Sequence, residues 1–169
     1  FVRKMRMTGL ISFRGGGRFI DINHNEDEKI DYILSHYATY TKYTTEKEYF
    51  DYMSTIDDAL FELRSVEISK TDAAEKLTQL LPDYPWESIK TELSNLANKT
   101  SSNHNVLKFI SAPARLEFLT ALAIKSKLPT VEVVPNYPCD DEGLPTSTAG
   151  GNNGDIECFE APNSILVEV

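Results

Sequence analysis

The sequence predicts a mixed α/β fold, with helices through the middle of the chain and short strands near both ends. Three observations carry that prediction. Apolar residues recur at helical spacing over residues 69–96 and 113–128. A Gly15-Gly16-Gly17 run separates two short β-rich stretches close to the start. From residue 131 onward the chain changes to short β-branched runs broken by Pro, Gly and Asn.

In chain order, Phe1 to Thr8 reads as the end of a helix, capped by Gly9. Leu10 to Arg14 and Arg18 to Ile22 read as two strands of a hairpin joined by the glycines. Neither a Walker pattern nor a following helix is present, so these glycines do not read as a phosphate loop. Asn25 caps the next helix, with Glu26, Asp27 and Glu28 in its first turn and Ile30, Ile33, Leu34 and Tyr37 as its stripe. Tyr37, Tyr40 and Tyr43 are close together in a Thr-rich stretch, where packing is favoured over base stacking. Helices follow over Thr45–Met53 and Asp57–Arg64. Another spans Ser69–Leu81, capped by Ser69 or Thr71 and stopped by Pro82, with Ala74, Leu77, Leu80 and Leu81 on one face. Pro85 opens a helix carrying Trp86, Ile89, Leu93 and Leu96. The polar run from Asn98 to Asn105 marks a boundary. Pro113–Leu128 is the next helix, with Leu116, Leu119, Ala123, Ile124 and Leu128 as its buried stripe, and Val131–Val134 is a strand closed by Pro135.

Composition narrows the function classes. The chain has 169 residues, 17 basic and 26 acidic, for a net charge of −9. The charge is unevenly spread. The first twenty residues hold Arg3, Lys4, Arg6, Arg14 and Arg18 and no acid, a net +5; the remainder is net −14. A basic head on an acidic body points to a local phosphate contact. No apolar run is long enough for a membrane span, and no signal peptide is visible. Cys139 and Cys158 stand alone, without CxxC or paired histidines, and read as free thiols of a reducing cytoplasm. The start lacks Met and the end falls inside a strand pattern, so the chain reads as an internal piece of a longer protein. Asp140-Asp141-Glu142-Gly143 lacks the alternating ligands of an EF-hand and reads as a turn.

The stretch from Gly150 to Val169 carries the chemistry. A Gly- and Asn-rich loop delivers Asp155 to the start of a strand, a turn follows at Ala161-Pro162-Asn163-Ser164, and Ile165–Val169 forms a second strand containing Glu168. A buried carboxylate without a partner is costly, and a divalent cation shared with Asp155 would resolve the cost. Adjacent strands bring Asp155 and Glu168 together, and Mg²⁺ takes oxygen donors of this kind. The plainer alternative is an edge strand whose Glu168 faces water. Glu157 stands two residues after Asp155, as a second-metal ligand or a solvated side chain.

This hairpin resembles the active-site hairpin of the PD-(D/E)XK nuclease superfamily. Pro135-Asn136-Tyr137, Asp140 to Pro145, Gly154-Asp155-Ile156-Glu157 and Ile165 to Val169 together resemble the AlwI-type family of type IIS restriction and nicking endonucleases. The resemblance implies Mg²⁺-dependent hydrolysis of double-stranded DNA, in the cytoplasm of a bacterium or archaeon. It implies a metal held by Asp155, Glu168 and the carbonyl of Val169, with Glu117 on the preceding helix as a further acidic residue. It leaves open a second nuclease subunit or a transient dimer. The first helix and hairpin resemble the last third of a winged helix-turn-helix, which implies that Arg14 and Arg18 contact the DNA backbone. The implied organisation is a winged module over 1–24, a helical linker over 25–105, and the front half of a PD-(D/E)XK domain over 106–169. A piece ending at Val169 is expected to be inactive alone. The alternatives are a winged-helix regulator without catalysis and a repair or junction-cleaving nuclease of the same superfamily.

Overall fold

Apolar residues spaced three or four apart form helices in this chain, and alternation around turn residues forms strands. A computed structural model describes residues 1–37, 42–55, 57–63, 70–151 and 154–169. The elements are α1 (Val2–Arg6), β1 (Ile11–Arg14), β2 (Phe19–Ile22), α2 (Asp27–Tyr37), α3 (Glu46–Met53), α4 (Ala59–Glu62), α5 (Lys70–Leu80), α6 (Trp86–Ala97), α7 (Ala112–Lys127), β3 (Glu132–Pro135), β4 (Ile156–Glu160) and β5 (Asn163–Val167). β1 and β2 form one small antiparallel sheet, and β3-β4-β5 another. The mixed α and β character expected from the sequence is met. No helix among the described residues is long and apolar enough to cross a membrane.

The chain divides into two units, Phe1–His24 with Ile68–Val169, and Asn25–Glu67. This differs from a linker running to residue 105. α5 and α6 belong to the first unit, because their apolar residues Leu77 and Ile89, with Tyr84 between them, are buried in its core. The polar run 98–105 is likewise a loop of that unit, with the His104 ring stacked 5.2 Å from Tyr84.

The second unit is built from short amphipathic helices. A 3-10 turn at His24–Glu26 precedes α2, so the helix starts one residue later than an Asn25 cap would have it. Thr45 caps α3 by accepting the Glu48 N–H at 3.2 Å, and Glu48 reaches back to the Thr44 N–H at 2.9 Å. The Tyr32 hydroxyl donates to Asp57 at 3.0 Å, and Tyr37 donates to the same carboxylate oxygen. Tyr43 packs on Tyr49 and Tyr52. These tyrosines make contacts within the unit, as packing required. Tyr40 and Ser69 lie outside the described residues.

The first unit is organised around α7. Both α5 and α7 pack on β3, and α6 packs on α7. A helix covered on several sides cannot keep a polar face, and Ala114, Phe118, Leu119, Ala121 and Leu122 are all buried. The single stripe expected from the sequence is therefore too narrow. Leu128 falls outside it altogether, since the helix ends at Lys127 and Leu128 is 52% exposed.

The N-terminal hairpin is locked onto this core. Its register pairs Ile11 with Ile22 and Arg14 with Phe19. Gly15, Gly16 and Gly17 all have positive φ, and a Cβ on Gly17 would meet Val106 at 2.7 Å, so the tip lies against the 105–106 loop. Phe13 stacks on Phe109. Arg6 is 2% exposed and Asp140 fully buried, and Arg6 donates to Asp140 at 3.0 Å and to the Pro145 carbonyl at 2.9 Å. Ser12 donates to Asp141 at 2.5 Å. Removing one partner of such a pair leaves a buried charge uncompensated. Asp140→Ala is thus expected to cost about 3–5 kcal/mol in urea unfolding. A cost below about 1 kcal/mol, the level of a surface pair, would show that this lock does not hold the hairpin.

Candidate active site

The site is assembled by the end of β4, the end of β5 and the N-terminal half of α7. β4 and β5 pair antiparallel, Ile156 opposite Val167 and Cys158 opposite Ile165. A regular strand residue sends its N–H and C=O to the same neighbour. Asp155 does not. Its N–H donates to the Val167 carbonyl at 3.1 Å, on β5, while its C=O accepts from the Asn136 N–H at 2.9 Å, on the β3 side. The strand is kinked here, which re-aims the side chain as bulges next to functional sites do. The Asp155 carboxylate then accepts the Val169 N–H at 2.7 Å. It therefore touches the peptide that links Glu168 to Val169, and the three residues Asp155, Glu168 and Val169 meet at one end of the hairpin.

Two features fix the kink. A Cβ on Gly154 would come within 2.3 Å of the Leu166 side chain, so only glycine permits this approach. The Asn136 side-chain amide donates to the Gly154 carbonyl at 2.7 Å and to Glu157 at 3.1 Å. Asn136 belongs to the Pro135-Asn136-Tyr137 motif, but sequence reading gave it no role; its position in that motif was the available signal. Lys70, also unremarked in the sequence, pairs with Glu157 at 2.5 Å. Lys70 and Asn136 hold the Glu157 carboxyl below its ordinary value. Glu157 is thus an ion-paired side chain rather than a solvated one.

Glu117 lies behind the hairpin end. It is 6% exposed and accepts the Ala149 N–H at 2.8 Å. Burial pushes its carboxyl above the ordinary value, the Ala149 amide opposes this, and the nearby Asp155 charge pushes it up further. Glu117 and Asp155 therefore sense each other across the site. Tyr137, buried beside Phe118, also lies within the influence of Glu117.

Glu168 itself is exposed, and so are Ile165 at 65% and Leu166 at 57%. The cost of a buried, unpaired carboxylate does not arise for it, because β5 is the uncovered edge of the three-stranded sheet. Its value to the site lies in its position next to Asp155.

The hairpin arginines separate. Arg14 donates to Asp141 at 2.6 Å, pairs with Glu142, and lies 3.5 Å from Asp21. The acidic turn that follows β3 thus takes up the charge that the sequence assigned to a DNA phosphate. Arg18 is exposed beside the glycines.

Among the described residues, no group of three or more His, Cys, Asp or Glu side chains is arranged to hold a metal. Asp155 and Glu168 are the two carboxylate residues at this hairpin end, and one or two carboxylates is the number Mg²⁺ takes, with its other positions left to water and substrate phosphate. Raised carboxyl affinity at Glu117 means that ionising it costs the fold stability, a cost absent at acid pH and present above its folded value. Glu117→Gln should accordingly raise the thermal midpoint at about pH 8 and leave it unchanged at about pH 4. A lower midpoint at the alkaline pH would mean that the buried charge is compensated.

A protein-family model described as AlwI restriction endonuclease matches residues 62–169, more than half of the chain. No curated protein and no solved structure matches it significantly.

Proposed function

The chain belongs to the AlwI restriction endonuclease family, a family of restriction nucleases acting on DNA, and from that premise we propose that it carries the metal site of a type IIS restriction or nicking endonuclease. The reaction is Mg²⁺-dependent hydrolysis of a DNA phosphodiester bond outside the recognition sequence. One observation supports this reading above the rest: Asp155 is kinked out of β4 onto the Glu168–Val169 peptide, with buried Glu117 behind it.

Asp155, Glu168 and the Val169 carbonyl hold the ion in this reading. When bound, Mg²⁺ supplies a Lewis acid that offsets charge growing on the phosphate and lowers the pKa of water. The protein residues supply orientation. The Val169 amide fixes one oxygen of Asp155, which leaves the other with a defined direction. The Asn136 side chain and backbone hold the kink that creates this geometry. Glu117, shielded from water and anchored to the Ala149 amide, adds negative charge that strengthens cation binding. Without a cation these carboxylates repel the incoming phosphate, and metal dependence follows from that repulsion. The N-terminal helix and hairpin serve in a winged DNA-recognition module in this reading, with Arg18 as its phosphate contact. A transient dimer or second subunit would complete double-strand cleavage.

In the full-length natural protein, Asp155→Ala should lower Mg²⁺-dependent plasmid cleavage by about 100-fold or more. DNA affinity should change by less than about threefold, since removing one carboxylate takes away no phosphate contact. Normal cutting by this variant would remove Asp155 from the site.

A further inference from the structure

A second charged surface lies on the other flank of α7. An open groove of about 670 Å³ is lined by Arg3, Lys99, Lys108 and Arg115, with Ser102 and Ile110 between them. Among the described residues no Asp or Glu lines it. In a chain of net charge −9, four cations without a carboxylate form a local reversal of sign.

Three further observations point to an anion there. Arg115 is only 5% exposed; its Nη1 donates to the Leu107 carbonyl at 3.3 Å, but its Nε has no partner. A buried guanidinium donor left unpaired is costly, and a ligand oxygen would satisfy it. Buried Glu92 is the carboxylate whose charge reaches Arg115, and its Oε2, like the Arg115 Nε, has no hydrogen-bond partner. The second observation is the start of α7. Ser111 makes no side-chain cap, Pro113 has no N–H to donate, and Ala112 lines the groove, so the positive end of a 16-residue helix opens into it. The third is Lys99. It follows α6 with φ 55°, a left-handed conformation in which glycine is the usual residue. A lysine kept there bears backbone strain, and it lines the groove.

We propose that this groove seats a backbone phosphate of the DNA, flanking the bond that the hairpin site attacks. The proposal rests on the nuclease reading. Residues 115 and 117 are about 200° apart around a helix, so Arg115 and Glu117 face opposite flanks of α7. A strand crossing the N-terminal end of α7 would meet the groove on one flank and the carboxylate site on the other. The apolar side of the groove, with Leu96, Phe109 and Ile110, suits a sugar better than a free ion.

The test is the salt dependence of duplex binding by the full-length natural protein, read by fluorescence anisotropy in EDTA so that no metal-dependent cleavage intervenes. Each phosphate contact contributes about 0.9 to the slope of log K against log salt. Lys99→Gly with Lys108→Gln should lower the slope by about one, the loss of one phosphate contact, and weaken binding several-fold at low salt. Lys99→Gly relieves the left-handed lysine, so the fold is retained, and Lys108→Gln alone should lower the slope by a smaller amount than the double variant. Lys90→Gln, an exposed residue paired with Glu87, is the control and should leave the slope as it is. An unchanged slope in the double variant overturns the proposal, and so does an equal fall with Lys90→Gln, which would assign the effect to net charge. Cleavage with Mg²⁺ is measured in parallel. A reduced slope in a protein whose wild type does not cut supports the groove and counts against the nuclease reading. An unchanged slope in a protein that cuts overturns the groove and leaves the nuclease reading standing.

Discussion

The buried pair of Arg6 and Asp140 is the constraint on which the first unit depends. Two opposite charges have been taken out of water, and their attraction offsets that cost only while both stay in register. Arg6 reaches across from the first helix to a turn more than 130 residues later in the chain. That turn leaves β3 and leads into the loop that delivers Asp155. Ser12 and Arg14 engage the neighbouring Asp141, and Asp141 in turn accepts from the His24 N–H. The N-terminal hairpin and the loop before the candidate site are thus tied by charge, while the apolar contact of Phe13 with Phe109 ties the hairpin to the turn before α7.

This explains why the charge asymmetry of the sequence was both informative and misleading. Five cations without an acid at the start point to an anion-seeking surface. Much of that demand is met inside the molecule, by Asp140, Asp141 and Glu142. Sequence separation hides such pairing, since nothing local to Arg6 or Arg14 announces a partner more than 120 residues away. The open cationic groove, by contrast, is assembled from Arg3, Lys99, Lys108 and Arg115, which form no cluster in the sequence.

Elements with a strong local signal were legible. The hairpin at Gly15–Gly17, the proline-bounded helices α5 and α6, and the β4-β5 pairing all follow from periodicity and turn chemistry. The extent of the linker was not, because Leu77 and Ile89 show a helical stripe without showing what covers it. Within the site, Asp155 and Glu168 were legible as carboxylates at strand ends. The kink at Asp155 was not, because it depends on a tertiary contact from Asn136 and on Gly154 lying against Leu166. Glu117 drew attention only through family resemblance, since a lone Glu on a helix resembles a solvated position. Its burial and the Ala149 bond set it apart.

The central claim is that the paired ends of β4 and β5 form one cation site. Anomalous diffraction from crystals of the full-length natural protein grown with Mn²⁺, a spectroscopically visible stand-in for Mg²⁺, tests it most directly. The account requires an anomalous peak in contact with a carboxylate oxygen of Asp155 and one of Glu168, lost in the Asp155→Ala protein. A peak bound elsewhere, or one that persists without Asp155, would contradict it.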